Sequence, residues 1–164
     1  VQSQPLLENH SSPASGCNIF TTSGTTKAPK FVLHTHQSIT NHALAVWRNL
    51  EEVISDGAFF HTLPFCGVFG FNHLSAALAG GKSNVIQSAF NAIDAIALID
   101  KYQVHYLSVT DDMLLALLEA DKRARAMPTV ICCGYGAFNL PAEEIRQRYL
   151  DRYLGQDHEL EAVF

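Results

Sequence analysis

The feature that most constrains the fold of this chain is a regular alternation of short, strand-like apolar runs with longer segments of helical periodicity. From residue 35 onward the order is helix, strand, helix, strand, helix, strand, helix, strand, helix. Strands that alternate with helices of this length predict βαβ units, in which a mostly parallel sheet has helices on both faces. The sequence therefore predicts an α/β fold whose ligands bind outside the carboxyl ends of the strands.

Capping residues and chain breakers place these elements along the sequence. Thr35, Asn91 and Thr110 are predicted N-caps, because their side chains accept hydrogen bonds from the free N–H groups of a first helical turn. Asp111 and Asp112 are interpreted as charges that complement a helix N-terminus. The predicted helices are 35–53, 68–78, 92–102, 111–124 and 141–153, and the predicted strands are 58–65, 84–86, 104–109 and 129–133.

Length and composition limit the classes of function. The 164 residues are enough for one domain with a core, and a hydrophobic content of 48% argues against disorder. The net charge of −5 gives no basic face for nucleic acid, and no apolar run reaches the length of a membrane-spanning helix. Residues 1–16 are rich in Ser, Gln and Pro and are predicted to form a flexible arm or linker before an α/β subdomain at 17–164.

Cysteine and histidine positions predict neither disulfides nor a metal site. The four cysteines are Cys17, Cys66, Cys132 and Cys133. They include no C-x-x-C spacing, which fits a cytoplasmic location, and each lies in or beside an apolar segment, which predicts buried thiols. His34 and His36 have no third ligand cluster nearby, so we predict no metal site. The histidines at 61, 73 and 105 are scattered and are expected to have core or surface roles.

A polar loop between two strand-like segments carries the strongest functional signal. Residues 21–30 read Thr-Thr-Ser-Gly-Thr-Thr-Lys-Ala-Pro-Lys. Hydroxyl and backbone N–H groups donate to phosphate oxygens, lysine supplies positive charge, and Gly24 lets the backbone turn sharply. The loop lacks the P-loop pattern, because Gly24 is its only glycine and Lys30 is followed by Phe31. On composition alone, a polyphosphate loop and an ordinary surface turn fit equally well.

The order of these residues resembles the signature loop of the adenylate-forming superfamily. This superfamily includes acyl-CoA synthetases, the adenylation domains of peptide synthetases and firefly-type luciferases, and its pattern is Thr-Ser-Gly-Thr-Thr-Gly-x-Pro-Lys-Gly. The matching positions are Thr22, Ser23, Gly24, Thr25, Thr26, Pro29 and Lys30. Lys27 and Phe31 depart from the pattern, since each stands where the family has glycine.

The resemblance implies how this loop binds ATP. It assigns the β- and γ-phosphates to a cradle formed by Thr22, Ser23, Gly24, Thr25 and Thr26. Lys30 would add positive charge. Lys27 either adds further charge or marks a weakened loop, because a lysine adopts positive φ less readily than glycine does.

A second segment, Leu63 to Gly70, resembles the family signature in which a strand end opens the acyl-substrate pocket. The resemblance implies that Phe65, Gly67, Phe69 and Gly70 border this pocket. Gly67 stands where the family often has histidine or a bulky aromatic residue, which implies a roomier or altered pocket. An ordinary strand-to-helix turn is the alternative interpretation.

A third segment, Cys133 to Ala137, resembles the Gly-Gly-Ala stretch that lies against adenine in this family. The resemblance implies that Gly134, Gly136 and Ala137 face the base. Tyr135 separates the two glycines, so the spacing is looser than in the family. A Gly-rich turn without a ligand fits this segment equally well.

The resemblance covers nearly the whole chain after residue 16 and implies the middle of the large N-terminal domain of an acyl-CoA synthetase. Family members use ATP with Mg²⁺ to activate a carboxylic acid as an acyl-adenylate, and then transfer the acyl group to a thiol of CoA or a carrier arm. They also contain a Tyr-Gly-x-Thr-Glu segment, a ribose-binding aspartate and a small domain with the catalytic lysine. These have no counterpart in the chain, so no catalytic residue is assigned and the chain alone is expected to be inactive.

Two classes of function follow from this comparison. The first is a fragment of an AMP-forming acid–thiol ligase, whose partners are ATP, a carboxylic acid and the missing parts of the parent chain. The second is a non-catalytic nucleotide-binding or interaction domain derived from the family, which the departures at Lys27, Phe31 and Gly67 favour. A fragment of a larger domain also predicts self-association through an exposed apolar face.

Overall fold

The fold combines an antiparallel hairpin with a parallel sheet. The computed structural model describes residues 11–22, 29–54, 56–136 and 138–153. Within these ranges the hairpin strands are β1 Gly16–Thr22 and β2 Lys30–Thr35, and the parallel strands are β3 Ala58–His61, β4 Asn84–Ile86, β5 Val104–Thr110 and β6 Cys132–Gly136, in the order β4-β3-β5-β6. The helices are α1 His36–Leu50, α2 Val68–Ala79, α3 Ala92–Lys101, α4 Asp111–Ala120 and α5 Ala142–Tyr153.

The three predicted N-caps are confirmed. The Thr35 hydroxyl accepts from the Ser38 N–H at 3.1 Å, and the Ser38 hydroxyl oxygen accepts from the Thr35 N–H at 3.0 Å, which forms a capping box at the start of α1. The side chains of Asn91 and Thr110 accept from N–H groups in the first turns of α3 and α4. Local side-chain chemistry therefore fixes where these three helices begin.

Helices cover both faces of the parallel sheet, as predicted. Phe59 and Tyr106 face α1 and α2, whereas Phe60 and Leu107 face α3 and α4. This division follows from the two-residue period of a strand, which sends successive side chains to opposite faces. Phe59 and Phe60 are fully buried, and each contributes about 1.5–3 kcal/mol to folding. The short strand β3 therefore stabilises the cores on both faces of the sheet.

Two strands differ from their predicted bounds by more than one residue. β3 ends at His61 rather than at residue 65, because Pro64 lies in a turn. In this turn the Pro64 carbonyl oxygen accepts a hydrogen bond from the Gly67 N–H at 3.1 Å. β6 spans Cys132–Gly136 rather than 129–133, because a turn in which the Val130 N–H donates to the Met127 carbonyl delays the strand. The glycine-rich segment predicted to follow the strand is therefore part of it.

The predicted helix at 111–124 is also too long. α4 ends at Ala120, and Asp121 has extended backbone angles. The Asp121 carboxylate accepts from the Met127 N–H at 2.8 Å, so the chain turns here instead of continuing as a helix. Side-chain acceptors that bind nearby backbone N–H groups compete with helical hydrogen bonding in this way.

The prediction of buried thiols is wrong for two of the four cysteines. Cys17 lies at an irregularity near the start of β1 and Cys66 lies in the turn before α2, and both are exposed. Cys132 and Cys133 on β6 are partly buried, and burial raises the pKa of both thiols. The cytoplasmic location stays a prediction.

The surface of the hairpin is apolar where it faces away from the helices. Ile19, Phe31 and Leu33 are between 57% and 76% exposed. Just before β1, the carbonyls of Pro13 and Ser15 accept hydrogen bonds from the first N–H groups of α1. Self-association through the apolar face and the domain boundary at residue 16 both stay predictions. In the described ranges, no helix combines the length and hydropathy needed to cross a bilayer.

Candidate functional site

The location of the site follows from the order of the strands in the parallel sheet. From β3 the chain passes through α2 to β4 on one side, and from β5 it passes through α4 to β6 on the other side. α2 packs on the face of Phe59 and Tyr106, and α4 packs on the opposite face. Adjacent strands whose outgoing connections lie on opposite faces leave a crevice outside their carboxyl ends. The candidate site therefore lies at the ends of β3 and β5.

Three residues at one level of the sheet form the base of this crevice. His61 on β3 pairs with Ser108 on β5, and Ser108 pairs with Gly134 on β6. All three are on the face that α2 covers, because they follow Phe59, Tyr106 and Cys132 by two residues. Because two of the three residues are small, a side chain from α2 can reach the sheet here.

His73 is the side chain that crosses from α2 to this row. Its Nδ1 lies 2.9 Å from the carbonyl oxygen of Phe69 and 2.9 Å from the hydroxyl oxygen of Ser108. The Phe69 carbonyl oxygen can only accept a hydrogen bond, so Nδ1 carries the proton and donates to it. Nε2 is then left as an acceptor. Burial lowers the pKa of His73, although the hydrogen bond to the Phe69 carbonyl opposes this effect. The ring is therefore neutral at neutral pH.

Gly134 is required by the close approach of two side chains. A Cβ at this position would overlap the Tyr106 hydroxyl and would lie 3.3 Å from Nε2 of His73. The ring of His73 also packs edge-on against Phe69, with centroids 4.8 Å apart. The structure thus brings together Phe69 from the predicted acyl pocket and Gly134 from the predicted adenine segment. His73 and Tyr106, which join them, were missed as site residues.

One signal in the sequence could have found His73. It follows Phe69 by four residues, and residues at this spacing lie on the same face of a helix. Tyr106 gives no comparable signal, because an aromatic residue inside an apolar strand is typical of a core. Burial raises the pKa of Tyr106, and nearby Cys132 adds to this effect, so its hydroxyl is protonated at neutral pH.

The segment predicted to border the acyl pocket forms the turn and first helical residues beside the end of β3. A Cβ at Gly70 would lie 2.6 Å from the Pro64 carbonyl oxygen, so only glycine allows this close packing. Gly67 is the N-cap of α2, and a Cβ there would have ordinary contact distances. The Phe65 ring packs edge-on against His61 at 5.9 Å. The four predicted residues therefore lie at the carboxyl end of β3.

His61 is a second neutral imidazole at the base of the crevice. Its Nε2 lies 2.7 Å from Oδ1 of Asn84, whose amide nitrogen donates to the Lys82 carbonyl. This orientation of Asn84 makes Nε2 the protonated nitrogen and leaves Nδ1 as an acceptor. Within the described part of the chain, this buried Nδ1 has no hydrogen-bond partner. Burial lowers the pKa of His61, although the hydrogen bond to Asn84 opposes this effect.

The predicted polyphosphate loop lies at the end of the hairpin. Thr22 and Lys30 are register partners and are both exposed, so they form the two sides of the loop's base. The loop residues Ser23, Gly24, Thr25, Thr26 and Lys27 lie outside the described residues. Phe20 packs edge-on against Phe71 at 5.3 Å, which joins the hairpin to α2. In the described ranges, no hydrogen bond links Thr22 or Lys30 to β6.

The end of β6 is not a surface of glycine backbone alone, because an aromatic ring lies beside it. The space beside Gly136 that a Cβ would fill holds the ring of Phe138, and the Phe138 side chain is 71% exposed. Ala137 lies outside the described residues. A flat base that approached Gly136 from this side would therefore meet the Phe138 ring. The described residues contain no group of three or more His, Cys, Asp or Glu that could hold a metal ion.

Comparison with known sequences gives one family. A family model described as AMP-binding enzyme matches residues 2–156. The 2-succinylbenzoate–CoA ligase of Bacillus subtilis strain 168 is 29% identical over 128 residues, which cover 77% of this chain and 26% of the ligase. The probable acyl-activating enzyme 4 of Arabidopsis thaliana is 33% identical over 89 residues, which cover 52% of this chain and 16% of that protein. The chain thus spans about a quarter or less of these relatives.

Comparison with solved structures gives the same fold. O-succinylbenzoate CoA synthetase from Bacillus subtilis in complex with AMP superposes with a TM-score of 0.67 and 26% identity, over 84% of this chain and 29% of that one. The same enzyme in complex with ATP and magnesium ion gives a TM-score of 0.71 and 24% identity, over 87% of this chain and 29% of that one. The predicted α/β fold is confirmed.

Proposed function

The chain belongs to the AMP-binding enzyme family, and on that premise we propose that it forms the nucleotide-binding and acid-binding part of an ATP-dependent, AMP-forming acid–thiol ligase. In this reaction the carboxylate of the acid attacks the α-phosphate of ATP, and pyrophosphate leaves as the acyl-adenylate forms. The acyl group then passes to a thiol of CoA or a carrier arm. Mg²⁺ supplies charge that stabilises the leaving pyrophosphate.

One observation carries this proposal. The segments predicted to bind the acid and the adenine come from different parts of the sequence, yet Phe69 and Gly134 meet around His73 at the end of the sheet. An acyl-adenylate requires the two groups to be adjacent, because the reaction joins the acid to the phosphate of the nucleotide. The crevice at the ends of β3 and β5 supports this arrangement.

The hairpin loop is proposed to bind the polyphosphate. Thr22 and Lys30 stand opposite each other at its base, where Lys30 would supply a positive charge and Thr22 a hydroxyl. Ser23, Gly24, Thr25 and Thr26 would donate to the β- and γ-phosphates, and Lys27 would add a second positive charge. Fixed donors of this kind stabilise charge that develops on a leaving group.

The acid is proposed to lie between α2 and the end of β3. Phe65, Phe69 and Gly67 would supply an apolar wall without a bulky side chain at position 67. His73 and Tyr106 lie at the inner end of this region, where the neutral imidazole and the hydroxyl would bind a polar group of the acid.

Nucleotide binding by the purified chain tests this proposal. Titration with MgATP should show saturable binding, and Lys30→Ala should weaken it about tenfold or more, because a hydrogen bond to a charged group contributes about 1.5–3 kcal/mol. Lys122→Ala is the matched control, since Lys122 is exposed and follows the far end of α4. Absence of MgATP binding, or equal effects of the two substitutions, would refute the proposal.

A non-catalytic nucleotide-binding or interaction domain remains the second candidate. The observation that favours it is the side chain of Phe31, which is 76% exposed directly after Lys30 where the family has glycine. ATP–pyrophosphate exchange by the purified chain tests for catalysis by the chain alone, which neither function predicts. The purified chain is expected to bind MgATP without exchange. An exchange signal that Lys30→Ala abolishes would show that the chain alone is catalytic.

A further inference from the structure

A buried carboxylate at the start of α4 holds the segment that follows β6. Asp111 is fully buried, and its Oδ2 accepts hydrogen bonds from the backbone N–H groups of Phe138 at 2.9 Å, Asn139 at 2.6 Å and Leu140 at 3.1 Å. Its Oδ1 accepts from the Asp112 N–H at 3.1 Å. Three successive N–H groups around one oxygen form an anion-binding concavity that Asp111 fills from within the chain.

The hydrogen bonds that Asp111 accepts favour the ionised form of its carboxyl group. The N–H of Asn139 is the main cause that holds the pKa of Asp111 below its usual value, and the N–H groups of Leu140, Asp112 and Phe138 add to it while burial opposes it. Asp112 contributes a second contact, because its Oδ2 accepts from the Asn139 side-chain amide at 2.7 Å. The segment 138–140 is therefore fixed to the start of α4 by hydrogen bonds to the carboxylates of Asp111 and Asp112.

This attachment determines the position of an exposed aromatic ring. Phe138 is the first of the three residues held by Asp111, and its ring lies over Gly136 at the carboxyl end of β6. Gly136 is the register partner of Thr110, the residue before Asp111. The ring thus stands at the edge of the sheet where the nucleotide is proposed to bind, and 71% of the side chain is accessible to solvent.

We propose that Asp111 is a positioning residue of the nucleotide site, which holds the Phe138 ring where it stacks on the base of bound ATP or AMP. This inference rests on the proposed function. An aromatic face contacts any purine without a hydrogen bond, so Phe138 would supply affinity for the base and none for the phosphates. The alternative is that Asp111 only stabilises the turn between β6 and α5.

The experiment compares two ligands that share only the phosphate part of ATP. The purified chain is titrated with MgATP and with magnesium tripolyphosphate, which lacks the base and the ribose. Asp111→Asn and Phe138→Ala should each weaken MgATP binding about tenfold and leave tripolyphosphate binding unchanged, because one base–aromatic stack is lost in each. Phe138→Tyr should retain the affinity for MgATP, since it keeps the aromatic face.

A stability control separates positioning from folding. Asp121→Asn removes another buried carboxylate that accepts a backbone N–H, at the opposite end of α4. This variant should lose stability but bind MgATP like the unsubstituted chain. The double variant of Asp111→Asn with Phe138→Ala should bind MgATP no more weakly than Phe138→Ala alone, because Asp111 acts through Phe138.

The outcomes distinguish this inference from the proposed function. If the unsubstituted chain binds neither ligand, the proposed function is refuted and the inference fails with it. If the unsubstituted chain binds both ligands and Asp111→Asn binds MgATP as tightly, only the inference is overturned. The inference is also overturned if Asp111→Asn weakens both ligands equally or if Asp121→Asn weakens MgATP to the same extent.

Discussion

Substitution of Asp121 should remove a measurable and pH-dependent part of the stability of this chain. The buried Asp121 carboxylate accepts from Nε of Arg123 at 2.8 Å and from the Met127 N–H at 2.8 Å. Arg123 also donates to Asp100 at the end of α3. Met127 is fully buried with a φ of 43°, a conformation that a non-glycine residue adopts at a cost. Asp121 therefore holds the turn that connects α4 to β6.

The magnitude follows from the pKa of Asp121. Burial raises this pKa, but the hydrogen bonds from Arg123 and Met127 lower it by more. The pKa therefore falls from 3.8 to about 2. At about 1.4 kcal/mol per pH unit, this difference corresponds to about 2.5 kcal/mol in favour of the folded state. Arg123 is 39% exposed, so water screens part of the interaction. We expect Asp121→Asn to cost about 1–2 kcal/mol at pH 7.

Urea unfolding of the two chains at several pH values measures this effect. The pKa of Asp121 is lower in the folded chain than in the unfolded chain, so the contribution is complete above about pH 4 and is lost as the pH falls through about 2. The difference in the free energy of unfolding should be constant from pH 7 to about pH 4 and should narrow below it. Asp100→Asn, at the exposed partner, should cost under about 1 kcal/mol.

Two results would refute this reasoning. If Asp121→Asn has the stability of the unsubstituted chain at pH 7, the carboxylate contributes nothing. If the difference between the two chains is as large at pH 2.5 as at pH 7, the substitution acts through packing rather than through the charge of Asp121. Equal m-values for the two chains would establish that the unfolded states are comparable.

The other predictions concern single positions. Gly134→Ala should destabilise the chain and weaken MgATP binding, since its Cβ would displace the buried Tyr106. Gly67→Ala should be tolerated, because its Cβ would have only an ordinary van der Waals contact with the Pro64 carbonyl oxygen. Equal unfolding midpoints for these two variants would contradict this prediction. Thr35→Ala should cost about 1 kcal/mol in urea unfolding through loss of the cap of α1, and Thr35→Ser should restore it. Stability unchanged in Thr35→Ala would contradict the role of the cap.

The sequence allowed prediction of those features that depend on local chemistry. Thr35, Asn91 and Thr110 accept N–H groups within the next three residues, so the starts of three helices could be predicted without knowledge of the tertiary structure. The parallel sheet followed from the alternation of strands and helices. The loop motif at 21–30 pointed to the family, and the family model confirms that identification.

The features that were missed depend on contacts between distant residues. Ser108 and His73 are 35 residues apart, and only the placement of α2 over β5 brings them together. Asp111 was interpreted as a helix-terminal charge, but most of its hydrogen bonds come from residues 27 to 29 positions later. Gly134 and Gly136 belong to a strand despite the low β propensity of glycine, because pairing with β5 outweighs local preference.

The most direct test of the central claim is an NMR titration of the isotopically labelled chain with MgATP. The claim is that the hairpin loop and the end of β6 bind one nucleotide. The amides of Thr22 and Lys30 and those of Gly134 and Gly136 should therefore shift together and saturate with a single Kd. Shifts confined to one of these two groups, or two different dissociation constants, would contradict the claim.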